Sequence, residues 1–266
     1  MTDGLRAERV PVTIAVPNLD QGRFLDECLR SIWMQRIQTE VIVADGGSVD
    51  CSHEVILRHA SRLRTHWSGP DGGQANAINR AIEFGTGDYV GWLNADDELL
   101  PGAIEALAAA LDQRPESPFA FGRCLNRSEP AGRERELPTR PFDRRSFARK
   151  CTICQPATLI RRSAWEAVGG LDERYQLAMD YDLWWRLSRL GPPAFVDRML
   201  AVNREHATTK TRNRPLRHFR ESVGIVWRET RSVPVRWWAG FGVALVRQVR
   251  GAWDRKYRSL RGDVAC

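Results

Sequence analysis

No stretch of this chain comes near the roughly 20 apolar residues that a membrane-spanning helix needs. The longest candidate, "WWAGFGVALV" at 237–246, is about half that. The start, "MTDGLRAERVPVTIAVP", is polar and then strand-like, and predicts no signal peptide. Six cysteines lie scattered without regular spacing, which argues against a disulfide framework and for a reducing compartment. The one close pair, Cys151 and Cys154 in "CTIC", has no second pair and no histidines at ligand spacing, so it does not read as a zinc site. It also does not follow the first strand of a βαβ unit, as a redox pair normally would. GxGxxG and the P-loop are both missing, so hydride transfer and ATP cleavage lack their usual markers. There is no internal repeat and no low-complexity tract.

What is present is enough for one large α/β domain with an appendage: 266 residues, 42% of them hydrophobic. The net charge of +7 is unevenly spread. From Lys210 to the end, fourteen Lys and Arg face four Asp and Glu, so the tail carries +10 and the body −3. The tail is therefore the part that suits anionic partners. The body lacks a basic groove, which excludes nucleic acid as the main ligand.

"VPVTIAVP", 10–17, reads as a strand apolar on both faces and closed by Pro17. Phe24, Leu25, Cys28, Leu29 and Ile32 then recur at helical spacing. Strand and helix go on alternating across about the first 115 residues, through "TEVIVADGGSVD", "QANAINRAIEFG", "GDYVGWLNADD" and "PGAIEALAAALDQRP". That alternation predicts a parallel sheet with helices on both faces, and ligands beyond the carboxyl ends of its strands. From 116 the pattern loosens into a strand, a Pro/Arg-rich polar stretch, a strand–helix segment ending at Gly169-Gly170, and a helix in "AMDYDLWWRLSRLG". "PAFVDRMLAVNREH" reads as a strand pair or a strand and turn. The tail from 210 reads as two helices split near Pro234. The second puts Trp238, Phe241, Leu245, Val249, Trp253, Tyr257 and Leu260 on one stripe flanked by arginines.

Three acidic loops fall at predicted strand ends. Asp45 closes one strand beside Gly46-Gly47, where a ligand can approach the backbone; either it meets a base or ribose hydroxyl, or the turn simply caps the next helix. Asp71 precedes a Gly-Gly pair and a helix carrying Asn76, Asn79 and Arg80. Asp96 and Asp97 in "NADD" repel each other unless a positive charge lies near. Such a pair suits a hard divalent cation that also takes phosphate oxygens, although a helix-entry turn explains it too.

The order "VTIAVPN", "VADGGSVD", "PDGGQANAIN", "GDYVGWLNADD", "GGLDERYQLAMDYDLWWRL" resembles the family-2 glycosyltransferases of the GT-A fold over roughly residues 11–208. The resemblance implies a GT-A domain at 1–208, with a nucleotide-binding half at 10–115, an acceptor-side half at 116–208 and a basic helical extension at 209–266. It implies that Pro17, Asn18, Asp45, Gly46, Asp71, Asn94 and Asp96 hold the nucleotide. It implies a divalent metal, Mn²⁺ or Mg²⁺, at Asp97 and Asp96, with Asp97 ranked first and His206 in "NREH" as a further ligand. Asp180 of "MDYD" matches the general base, with Met179 where many members have Glu and Asp182 as competitor. On one helix Asp180 and Asp182 point roughly 200° apart, so only one can face the site. Gln155, Arg161 and Trp165 lie where the family shapes the acceptor side.

The implied reaction is inverting transfer from a nucleotide-diphosphate sugar, UDP first by family habit, to a hydroxyl of a saccharide or lipid-linked acceptor. The implied setting is surface-polysaccharide or glycolipid synthesis in the cytoplasm, free or peripheral at the inner face of the membrane. The tail stripe fits an anionic membrane surface, a packed helix pair or a partner chain. Two rival readings stay open: a sugar-nucleotide-binding module that has lost catalysis, kept alive by Met179, and a nucleotidyltransferase, weakened by the single Gly22-Arg23 in "PNLDQGRF".

Overall fold

A computed structural model of the chain describes residues 11–129, 131–242 and 245. Three strand–helix units open the fold: β1 (Val12–Asn18) and α1 (Gly22–Trp33), β2 (Thr39–Asp45) and α2 (Ser52–His59), β3 (Thr65–Ser68) and α3 (Gln74–Glu83). β4 (Tyr89–Trp92), the two-residue β5 (Glu98–Leu99) and α4 (Ala103–Asp112) follow. The second half runs β6 (Phe119–Ser128), β7 (Arg133–Glu136), α5 (Arg144–Arg149), β8 (Thr158–Arg161), α6 (Arg162–Val168), α7 (Met179–Leu187), β9 (Ala194–Glu205), α8 (Lys210–Asn213) and α9 (Pro215–Thr230).

β1 is buried along its whole length, as a central strand covered on both faces must be. Its side chains alternate between two cores. Ile14 and Val16 join Leu25, Leu29 and Ile32 of α1 and Leu107 of α4. Ala15 joins Ile78 and Ile82 of α3 on the other face. Pro17 does not close the strand, which continues to Asn18.

One mixed sheet has the strand order β3-β2-β1-β4-β8-β6-β9-β5, with β7 paired to β6. The first four strands are parallel, as the alternation predicts. β8 then enters antiparallel to both β4 and β6. This reversal sends the carboxyl end of β8 to the sheet edge opposite the ends of β1, β2 and β4.

The stretch expected as a strand pair is a single strand, β9. Its pairing with β6 slips between Gly122 and Arg123 and again between Arg123 and Cys124. The polar Asp197 and Arg198 fall in that slip, and a bulge of this kind reads like a turn in sequence. The Pro/Arg-rich stretch hides β7, four exposed residues of alternating charge tied to β6 through Arg127–Glu134 at 2.7 Å and Arg123–Glu136.

In the tail, α9 buries Ile225 and Val226 in the second core and ends at Arg231 in the left-handed region. The chain resumes a helix after Pro234, where the break is expected. Trp238, Phe241 and Leu245 are exposed there. Val249, Trp253, Tyr257 and Leu260 lie outside the described residues. Among the described residues no helix is long and apolar enough to cross a membrane.

Candidate active site

The site begins where β1, β2 and β3 end side by side. Asp45 is fully buried at the end of β2. It accepts hydrogen bonds from Asn18 Nδ2 at 2.6 Å, Ser48 Oγ and Ser68 Oγ at 2.5 Å each, and Ser48 N at 3.0 Å. Burial pushes its carboxyl up, but these bonds outweigh burial and leave it below the ordinary value. A carboxylate so saturated is a fixed structural anion, and Asn18 owes its orientation to it. Gly47 takes the left-handed φ of 88° that this turn demands. Next to it, a Cβ on Gly46 would lie 3.4 Å from Asp71 Oδ2, so the Asp45 and Asp71 loops touch. Asp71 itself is exposed and accepts from Gly73 N at 2.7 Å.

β4 delivers "NADD" beside them. The Ala95 N–H donates to the Pro17 carbonyl at 3.3 Å, which continues the β1–β4 register past the strand end. The two carboxylates then part ways. Asp97 is 2% exposed, with Oδ1 accepting from the Arg204 N–H at 3.0 Å and Oδ2 from Asn94 Nδ2 at 3.1 Å. Burial, and then the charge of Asp96, pushes the Asp97 carboxyl well above the usual range. Asp96 is 20% exposed and meets His206 Nε2 at 2.9 Å. His206 lies just past the end of β9, with Thr208 Oγ1 2.9 Å from its Nδ1 and Phe24 packed at 5.1 Å. The sequence ranks Asp97 ahead of Asp96; of the two, Asp96 is the more exposed carboxylate.

β9 also brings Arg204, whose guanidinium is buried against Glu98 at 3.1 Å and Glu27 at 2.5 Å and lies over the Phe24 ring. On the other side, Gln74 at the start of α3 donates from Nε2 to Asn94 Oδ1 at 2.8 Å and accepts from Lys210 Nζ at 3.1 Å. Desolvation lowers the Lys210 ammonium, while the carboxylates of Asp71 and Asp96 nearby act to raise it. Neither Gln74, Lys210 nor Arg204 is singled out by the sequence. The available signal is position: Lys210 lies four residues after His206, in the same turn of chain.

α7 carries the remaining carboxylates. Trp184 on this helix stacks on Trp92 of β4, with ring centres 5.8 Å apart and planes 9° apart, and on Phe119 at 5.0 Å. Each such pair adds about 0.5–1.5 kcal/mol beyond area burial, so "NADD" and α7 are set by one aromatic core. Met179 is also buried in that core, which explains an apolar residue at this position. Asp182 is fully buried between Arg186 at 2.7 Å and Arg228 at 2.6 Å. Both of its oxygens are engaged in these ion pairs. Asp180, at the first turn of α7, is only partly buried. Desolvation pushes its carboxyl up; the Tyr181 N–H and His218 pull it back, and the balance stays upward.

The acceptor-side expectations fare differently. Gln155 is 8% exposed and turns inward, donating to the Trp92 carbonyl at 2.7 Å. Its Oε1 lies 3.4 Å from Asn94 Nδ2, so it braces "NADD" from behind. Arg161 ends β8 opposite Tyr89, at the far edge of the sheet. There it donates to the carbonyls of Ser117 at 2.9 Å and Leu111 at 2.5 Å, closing the end of α4. Trp165 is 6% exposed and packs edge-on against Trp92. The antiparallel course of β8 puts Arg161 at the end of the sheet opposite the ends of β1, β2 and β4, and Trp165 lies in the second core.

The order of the acidic loops at the ends of the parallel strands β2, β3 and β4, with Asp96 against His206, narrows the families that can match. The profile of Glycosyl transferase family 2 matches residues 13–169. The chain belongs to the family-2 glycosyltransferases. It is similar to Escherichia coli chondroitin synthase, 30% identical over 194 residues covering 70% of this chain and 28% of that protein. It is also similar to a Mycobacterium tuberculosis PGL/p-HBAD biosynthesis glycosyltransferase, 29% identical over 196 residues covering 71% of this chain and 73% of that one. The glycosyltransferase described here thus spans little more than a quarter of the chondroitin synthase. In fold it matches Staphylococcus aureus TarS 1–349 in complex with UDP-GlcNAc, with TM-score 0.64, 14% identity, and coverage of 89% of this chain and 72% of that one. It likewise matches the mannosyltransferase PcManGT from Pyrobaculum calidifontis in complex with GDP-Man and Mn²⁺, with TM-score 0.59, 18% identity, and coverage of 97% and 77%. These likenesses confirm the GT-A architecture, and family membership sets aside the nucleotidyltransferase reading.

Proposed function

We propose that this glycosyltransferase moves a sugar from a nucleotide-diphosphate sugar to a hydroxyl of a saccharide or lipid-linked acceptor, with inversion. The observation that carries this reading is the meeting of three acidic loops at one sheet edge, joined to α7 by contact. A Cβ on Gly73, beside Asp71, would lie 3.3 Å from the Gln176 side chain just before α7. In this reading Asn18, Asp45, Gly46 and Asp71 frame the nucleoside, and Asn94 and Lys210 lie toward the diphosphate.

The donor set fits a divalent ion. Among the described residues no three His, Cys, Asp or Glu side chains converge as a closed metal cage. Asp96 and His206 make a two-residue, oxygen-and-nitrogen set, which suits an ion that completes its shell with water and substrate phosphates. Held there, Mn²⁺ or Mg²⁺ would neutralise charge on the leaving diphosphate. Asp97, with both oxygens engaged, orients the loop from behind. The acceptor hydroxyl gives its proton to the Asp180 carboxylate, its oxygen bonds to the anomeric carbon, and the bond from that carbon to the diphosphate oxygen breaks. One displacement inverts the centre without a second catalytic carboxylate.

The TarS and PcManGT complexes hold UDP-GlcNAc and GDP-Man, so both nucleotides belong in the first experiment. Calorimetry against UDP, dTDP and GDP, each with and without Mn²⁺, should show one of them binding tightly and only with the ion. Metal-independent binding of all three would refute the ion at Asp96, and no binding at all would refute the donor reading.

A bilayer surface fits the end of the described chain. Trp238 and Leu245 are exposed seven residues apart in sequence, with Arg231 and Arg236 shortly before them and the remaining basic residues of the tail after them. The chain is expected to co-sediment with phosphatidylglycerol vesicles and not with phosphatidylcholine vesicles, and Trp238→Glu should release it. Equal recovery with both lipids would refute an anionic membrane partner.

A further inference from the structure

α7 and α9 both lie beyond the family-matched segment 13–169, and α9 grips the start of α7 at two points. Glu221 Oε2 accepts from the backbone N–H groups of Gln176 at 3.1 Å, Leu177 at 2.8 Å and Ala178 at 3.1 Å. Its other oxygen accepts from Arg217 Nε at 2.9 Å, and its side chain is 9% exposed. Ala178 precedes the first residue of α7 and offers no capping side chain of its own, so a carboxylate from another helix gathers the donors that lead into α7. Two turns further on, the same face of α9 presents Arg228, which pairs with Asp182 at 2.6 Å. Asp180 sits between the two grips. The gripped loop is also the one whose Gln176 rests on Gly73 of the Asp71 loop.

We propose that Glu221 is a positioning residue for glycosyl transfer: it fixes the loop 176–178 and so aims Asp180 at the acceptor hydroxyl. The proposal rests on Asp180 being the base. A buried carboxylate that takes three backbone N–H groups costs desolvation free energy, and an ordinary helix start is capped by a local Ser, Thr, Asp or Asn. Placing the cap on α9 makes the direction of the first turn of α7 depend on the extension. A base misplaced by about 1 Å loses on the order of 10²-fold in rate while the donor still binds.

The test uses the full chain and follows nucleotide release from UDP-GlcNAc and GDP-Man with Mn²⁺, alongside calorimetry with UDP and GDP. Glu221→Ala should lower kcat by about 10- to 100-fold, with donor KM and nucleotide affinity within about two-fold of the wild type. Glu221→Gln keeps an acceptor oxygen on the same stem and should recover most of kcat. A merely structural cap would lower the melting temperature of Glu221→Ala and leave kcat per folded molecule unchanged, and that result overturns the proposal. Equal losses in kcat and nucleotide affinity overturn it too, since the donor loop would then be the part displaced. Asp180→Asn separates the two readings. If it is inactive while Glu221→Ala is normal, only the positioning role fails. If Asp180→Asn turns over normally, the base assignment fails and takes this proposal with it.

Discussion

Asp180→Asn should leave nucleotide binding intact and remove transfer, with a fall in kcat of about 10²–10⁴-fold, the usual contribution of a positioned base. The amide keeps the size and the hydrogen bond to the Tyr181 N–H, so α7 need not move. It cannot take the proton of the acceptor hydroxyl. As the proposed base, Asp180 would work only as the carboxylate, so rate should fall as pH drops through its folded pKa. Burial raises that pKa, and so the acid limb of the kcat profile should lie above the ordinary carboxylate value of 3.8. A limb that persists unchanged in Asp180→Asn would assign it to another group. Asp182→Ala gives the contrasting result. It leaves Arg186 and Arg228 facing an empty, buried position, and breaking such a pair costs about 3–5 kcal/mol. Its signature is a lowered urea midpoint. A catalytic loss in Asp182→Ala larger than the loss of folded protein accounts for would reopen the choice between the two aspartates.

The choice between Asp180 and Asp182 shows what the sequence holds and what it does not. Helical spacing says that only one of them faces the site. Which one depends on Arg228, which reaches α7 from 46 residues further along the chain. The ends of β1, β2 and β4 are legible because a central parallel strand needs apolar side chains on both faces and its polar residues begin where it stops. Asp45 and Asp96 fall at or just past two of those stops, and Asp71 follows the end of β3. Arg161 shows the limit of such reasoning. "ATLIRR" reads as a strand in either direction, and only a parallel β8 would have placed Arg161 beside the site. Local pattern does not carry strand direction, since that is decided by the pairing of β8 with β4 and β6. β7 escapes for a different reason: four charged residues lack the alternating apolar face by which a strand is recognised, and opposite charges on β6 hold it instead. The appended look of the tail is likewise a matter of partners. α9 is basic and amphipathic in sequence; in the fold its Ile225 and Val226 join the second core, Glu221 takes the N–H groups leading into α7, and Arg228 pairs with Asp182.

Asp96→Ala should abolish the metal dependence of nucleotide binding, whereas Asp97→Asn should weaken it by about 10- to 100-fold, the range for a residue that orients a ligand without touching the ion. The difference follows from what surrounds each carboxylate. Adjacent residues past a strand end point to different sides, so one faces the opening and the other the body. Asp97 is claimed by the Arg204 N–H and by Asn94, and the first of these exists because β9 pairs with β5 directly behind it. Asp96 is left with His206, a side chain able to share an ion with it. His206→Ala should therefore resemble Asp96→Ala in direction, raising the Mn²⁺ concentration needed for half-maximal nucleotide binding. Calorimetry of the variants with the nucleotide that binds the wild type, titrated at several Mn²⁺ concentrations, distinguishes the cases. If Asp97→Asn abolishes the metal requirement and Asp96→Ala preserves it, the ion reaches the buried carboxylate. The Arg204 N–H must then give way on binding, and the loop seen here is a state that the ion rearranges.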